Sequence, residues 1–161
     1  MTVRGVGDGR IIAGPFALGE ITIERREYRD ALPPGVDPLR IRLGELALLQ
    51  DVALELREKE VLVHLVWQVE ETTLTNYTAF VHLRDGGRVI AADDRQPFPP
   101  TSYWTPGEVI LETYTLQRPA PGTYDVAVGL YDAANGTRLH VREVDGQTLA
   151  DDQLVLPLEA P

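Results

Sequence analysis

The strongest constraint in this chain is a run of alternation. Val61, Val63, Leu65, Trp67 and Val69 are apolar at every second position, with His64 and Gln68 among the residues between them. A two-residue period belongs to an extended strand, whose successive side chains point to opposite faces, so one row can be buried. Leu62 and Val66 make the second face partly apolar as well, which places this strand centrally in a sheet. Trp67 belongs to the core face, where its indole N–H needs an acceptor.

The same pattern recurs along the chain. Tyr77, Ala79, Val81 and Leu83 share a face, and Arg84-Asp85-Gly86-Gly87-Arg88 then reads as a tight turn, because glycine reaches positive φ without strain. Val89 to Ala92 returns as a short strand, Val109 to Leu116 forms another, and Tyr124, Val126, Val128 and Leu130 supply one face of a third. Asp132 to Gly136 reads as a hairpin loop before a strand over Arg138 to Val144, and Leu154 to Leu156 forms a last strand curtailed by Pro157.

Nearer the start, strands are expected at Ile21 to Tyr28, Leu39 to Leu43, Leu46 to Leu49 and Val52 to Leu56. Leu46, Leu49, Ala53 and Leu56 also have helical spacing, so one short helix over Leu46 to Arg57 is the alternative. Strands are favoured because nothing else in the chain would serve as a crossover helix. About eight to ten short strands with frequent turn signals fit an all-β, two-sheet antiparallel β-sandwich, immunoglobulin-like or jelly-roll-like. A closed barrel is the competing architecture. One domain is expected over residues 1–161, with residues 1–15 as an irregular lead.

Composition narrows the function classes. Of 161 residues, 43% are hydrophobic, enough to offset the entropy of ordering the backbone. Fifteen basic against 25 acidic residues leave a net charge of −10, the wrong sign for a nucleic-acid footprint. There is no cysteine, which removes disulfides, thiolate nucleophiles and cysteine metal sites. No segment approaches the ~20 apolar residues of a membrane-spanning helix, so no direct membrane insertion is expected.

One stretch invites a functional reading. Pro97 to Val109, PFPPTSYWTPGEV, has five proline or glycine residues and three aromatics among its thirteen. As architecture, it is a shaped crossing between strands, with Tyr103 or Trp104 covering the sandwich edge. As a site, an exposed Tyr103/Trp104 surface would stack on a sugar. The crossing is favoured.

Other chemistry is sparse. Phosphate-loop, zinc-protease, dinucleotide and nucleophile-elbow motifs are all missing, and Gly5-Val6-Gly7-Asp8-Gly9 reads as a turn-rich lead. If a hairpin paired Val69 with Tyr77, its constant index sum would set His64 opposite His82, a packed pair in preference to a metal site. Asp93-Asp94, Asp132 and Asp151-Asp152 could converge on calcium, although solvated turns are the simpler expectation. Glu108 and Glu112 lie about 13 Å apart along a strand, too far for a glycosidase pair. Ser102 lacks a recognisable histidine–acid partnership. No catalytic residue, metal or cofactor is expected.

The ordered pieces Tyr77-Thr78-Ala79-Phe80-Val81-His82-Leu83, Pro100-Thr101-Ser102-Tyr103-Trp104 with Pro106-Gly107-Glu108, and Gly129-Leu130-Tyr131-Asp132 together carry a resemblance. From about Val61 to Leu158 the chain resembles a β-sandwich domain found at the soluble C-terminal end of bacterial membrane glycosyltransferase-like proteins. The resemblance implies a noncatalytic accessory, spacer or protein-interaction domain associated with cell-envelope glycosylation, with a protein or glycan partner. An extracytoplasmic location follows if the chain is the soluble domain of an envelope protein.

Overall fold

The computed structural model describes residues 28–161. The expected lead, the Gly5–Gly9 turn and nearly all of the Ile21 to Tyr28 strand lie outside the described residues. Nine strands follow: β1 (Ile41–Leu43), β2 (Ala47–Leu56), β3 (Glu60–Val69), β4 (Thr78–Asp85), β5 (Arg88–Arg95), β6 (Val109–Gln117), β7 (Gly122–Tyr131), β8 (Val141–Arg142) and β9 (Leu154–Ala160). They form a five-stranded sheet in the order β6-β3-β2-β1-β8 and a four-stranded sheet in the order β5-β4-β7-β9. Every pairing is antiparallel. This is the two-sheet sandwich that the alternation predicts; the barrel does not form among the described residues.

β3 is central, between β2 and β6, and its two-sided apolar character follows from that position. Its Val61, Val63, Leu65, Trp67 and Val69 face the core together with Val81, Leu83, Val128 and Leu130 of the opposite sheet. Trp67 is fully buried. The inner rows of the two sheets thus share one hydrophobic core, the layer that holds a sandwich together.

The helical spacing near the front has a different cause. β2 pairs Leu49 with Trp67 but Asp51 with Val66, so Gln50 is one extra residue on β2. That bulge shifts the phase of the alternation. Ala47 and Leu49 are buried before it, whereas Val52, Leu54 and Leu56 pack against the core after it. A strand that changes parity midway imitates a helical period.

Turn chemistry fixes the β4–β5 hairpin. Asp85 pairs with Arg88, and the two loop residues between them, Gly86 and Gly87, have φ of 55° and 86°. A two-residue hairpin with both central residues at positive φ matches the twist of its strands, and glycine fits it best.

Two expected strands come out differently. The segment after the Asp132 loop is not a hairpin strand over Arg138 to Val144. It bridges β7 only through Tyr131–Arg138 and a Leu139 N–H to Leu130 carbonyl bond of 2.9 Å, then leaves for the other sheet as β8. Pro157 does not end the last strand either: β9 runs through it to Ala160. β9 is an edge strand, and an edge tolerates a residue without an N–H.

Candidate functional site

The crossing from Pro97 leads from β5, on the edge of one sheet, to β6, on the edge of the other. Its central part is a short 3₁₀ turn, Thr101–Tyr103. Thr101 is fully buried; its hydroxyl donates to the Thr75 carbonyl (2.7 Å) and accepts the Tyr77 N–H (2.9 Å), tying the crossing to the β3–β4 connection. Thr105-Pro106-Gly107-Glu108 then closes a turn, with the Glu108 N–H on the Thr105 carbonyl at 2.9 Å and Gly107 at φ 85°. Proline at the second position and glycine with positive φ at the third are the signature of a type II turn.

Between these anchors Trp104 turns inward. It is only 2% exposed, its ring centroid lies 6.1 Å from that of Trp67, and its indole N–H donates to the Pro99 carbonyl at 2.8 Å. The exposed Tyr103/Trp104 platform is therefore corrected: Trp104 has no face to offer, because the crossing uses it to extend the core. Tyr103 does stay at the surface, 67% exposed, as does Phe98 at 83%. Trp67 itself has no indole acceptor among the described residues.

Beneath the crossing sits a group of residues whose burial the alternation foretells only in part. In β6 the inward row is Ile110, Glu112, Tyr114 and Leu116, so a carboxylate occupies a core-facing position. Glu112 is satisfied there by the Phe98 N–H (3.0 Å) and the Tyr114 hydroxyl (2.8 Å), with Arg95 Nη1 at 3.6 Å. Burial away from water, reinforced by the Glu112 charge, pushes the Tyr114 phenol far above the usual tyrosine range. Arg95 lies over the Tyr114 ring, 4.0 Å from its centroid, and donates to the Thr113 carbonyl, while Asp93 accepts the Thr115 N–H at 2.9 Å. Side chains of β5 thus cover the open edge of β6, a solution to the exposed-edge problem.

Glu108 and Glu112 do not act as a pair: Glu108 accepts the Thr105 N–H at 3.2 Å, and Glu112 belongs to the Tyr114 group. The facing of His64 and His82 is also corrected. β3 and β4 lie in different sheets, so no hairpin joins them; His64 stands opposite Ala53 and Thr113, and His82 opposite Ala92 and Ala127. Instead, each of the three histidines meets one carboxylate: His64 with Glu55 (3.2 Å), His82 with Asp94 (2.8 Å) and His140 with Asp152 (3.1 Å). The aspartates do not converge on a calcium site, since no group of three potential metal-ligating side chains occurs among the described residues. Ser102 offers its backbone N–H to Asn76 Oδ1 at 3.2 Å, a contact that ties the crossing to the β3–β4 connection.

A second feature, absent from the sequence reading, lies on the outer face of the four-stranded sheet. Phe80, His82, Asp94, Tyr131, Gly136 and Arg138 line a groove of about 230 Å³. Phe80 points away from the Ala79–Val81–Leu83 core row, yet it is 1% exposed because Arg138 lies over its ring, 4.4 Å from the centroid. An aromatic on the outward parity of a strand was the only signal available for it.

No family model matches the chain, and no curated protein does.

Proposed function

We propose that the chain is a noncatalytic accessory domain, a spacer or protein-interaction module, of a cell-envelope protein concerned with glycosylation. One observation carries the noncatalytic part: Trp104 is seated against Trp67 inside the sandwich. The stretch with the densest aromatic and turn chemistry is thereby committed to joining two sheets. The same holds for Glu112 and Tyr114, whose polar atoms serve each other and the start of the crossing. The envelope setting is supported by the resemblance over Val61 to Leu158. Among the described residues no helix is long and apolar enough to cross a membrane.

A screen of hydrolase and glycosyl-transfer substrates tests this reading. The expected result is no turnover that follows the folded protein through successive purification steps. Activity that co-purifies with the fold and vanishes on unfolding would overturn it.

A further inference from the structure

The outer groove of the four-stranded sheet holds opposite charges that do not neutralise each other. Phe80 pairs with Asp94 of β5 on one side and with Gly129 of β7 on the other. Arg138 reaches over from beyond β7, where it bridges Tyr131. Its Nη1 donates to the Asp151 carbonyl (2.8 Å) and Gln153 Oε1 (3.2 Å), both uncharged, and it stands in no ion pair among the described residues. Across the groove, Asp94 Oδ1 accepts from Nε2 of His82 at 2.8 Å, and the His82 side chain is only 17% exposed. A guanidinium is held rigid by an aromatic ring beneath it and two acceptors behind it, with no carboxylate of its own.

We propose that this groove binds one hydroxylated ring bearing a carboxylate, the chemistry of a sugar acid. The carboxylate sits on the remaining guanidinium donors of Arg138, whose planar fork matches two carboxylate oxygens. The hydroxyls donate to the Asp94 carboxylate and meet the Tyr131 phenol, which can both accept and donate. Size sets the limit: 230 Å³ falls below the ~300–1,000 Å³ of a drug-sized site, which suits a single ring and not a long chain. Charge sets the orientation, because an anion placed against Asp94 would be repelled and a neutral ring would leave Arg138 unmatched. The inference rests on this groove alone, so activity discovered elsewhere on the chain would leave it standing.

Two-dimensional amide NMR of the full chain tests it, with D-glucuronate as the probe and D-glucose, cyclohexanecarboxylate and inorganic phosphate as comparisons. Glucuronate should give saturable shifts centred on Phe80, Tyr131 and Gly136, with each comparison binding at least about tenfold more weakly. Arg138→Met keeps an aliphatic cover on Phe80 and should lose at least about tenfold in affinity while the rest of the spectrum is unchanged. If that variant fails to fold, Asp94→Ala, which leaves the Arg138–Phe80 contact in place, should weaken glucuronate in the same way. No saturable shift at these residues, equal binding of glucose, cyclohexanecarboxylate or phosphate, or undiminished binding by the folded variants would each overturn the proposal.

Discussion

Gly129 lies directly beneath Phe80: a Cβ built on it would stand 2.4 Å from Cζ and 2.5 Å from Cε1 of the ring. The two residues are register partners on β7 and β4, and the ring can cross β7 only where that strand has no side chain. The ring cannot easily withdraw, since Arg138 lies over it. Gly129→Ala should therefore cost about 1–3 kcal/mol, the usual penalty for overpacking. Urea titration checks this, and in a Phe80→Ala background the same substitution should cost distinctly less, a non-additivity that marks direct contact.

Glu112 holds two donors at once, and its replacement should show it. Glu112→Leu would leave the Tyr114 hydroxyl buried without its acceptor and would take the acceptor from the Phe98 N–H as well. The stranded hydroxyl alone costs about 1–3 kcal/mol, so the variant should be clearly less stable despite its apolar side chain. Glu112→Gln keeps one acceptor oxygen and should fall between the two. Denaturant midpoints for the three proteins would give the order.

Tyr114 makes a prediction about alkaline pH. Its folded-state pKa is raised by burial first and by the Glu112 carboxylate second. Below the ordinary tyrosine value, near 10, the phenol is protonated in both folded and unfolded chains, and its contribution is constant. Above that value the unfolded chain releases the proton while the folded one keeps it. Stability then falls with rising pH, by up to about 1.4 kcal/mol per pH unit from this group alone. Tyr114→Phe should flatten the decline between about pH 9 and 11 by roughly one proton's worth of slope. An unchanged slope would show that the phenol ionises as readily in the folded protein as outside it.

What the sequence made legible follows from how local each signal is. The Gly86–Gly87 hairpin is read from two residues, because only its φ values are at stake. The Trp67 row is read from five alternating positions. By contrast, the His64–His82 facing presumed that neighbouring strands pair, yet the Glu70–Tyr77 connection changes sheets and contains no tight-turn glycine. Gln50 hid the length of β2, since one extra residue moved the apolar positions to the other parity. Arg138 over Phe80 joins two distant segments through tertiary packing, which no periodicity encodes.

Trp67 anchors the core, and the chemistry of its loss can be separated from its polarity. Trp67→Ala should cost about 3–5 kcal/mol by removing a buried aromatic and leaving a cavity. Trp67→Phe should cost much less, because the indole N–H has no acceptor among the described residues to lose. Equal destabilisation by the two substitutions would mean that the N–H matters more than the packed volume.

The central claim is that the Pro97–Gly107 crossing closes the sandwich by burying Trp104, and a denaturant titration of Trp104→Ala tests it most directly. The indole is 2% exposed, packs on Trp67 and bonds the Pro99 carbonyl. The predicted result is a loss of about 3–5 kcal/mol with a largely unchanged denaturant slope. A loss within ~0.5 kcal/mol, the range of ordinary surface substitutions, would contradict it, and would do so decisively if the folded variant also lost glycan-induced shifts centred on Tyr103.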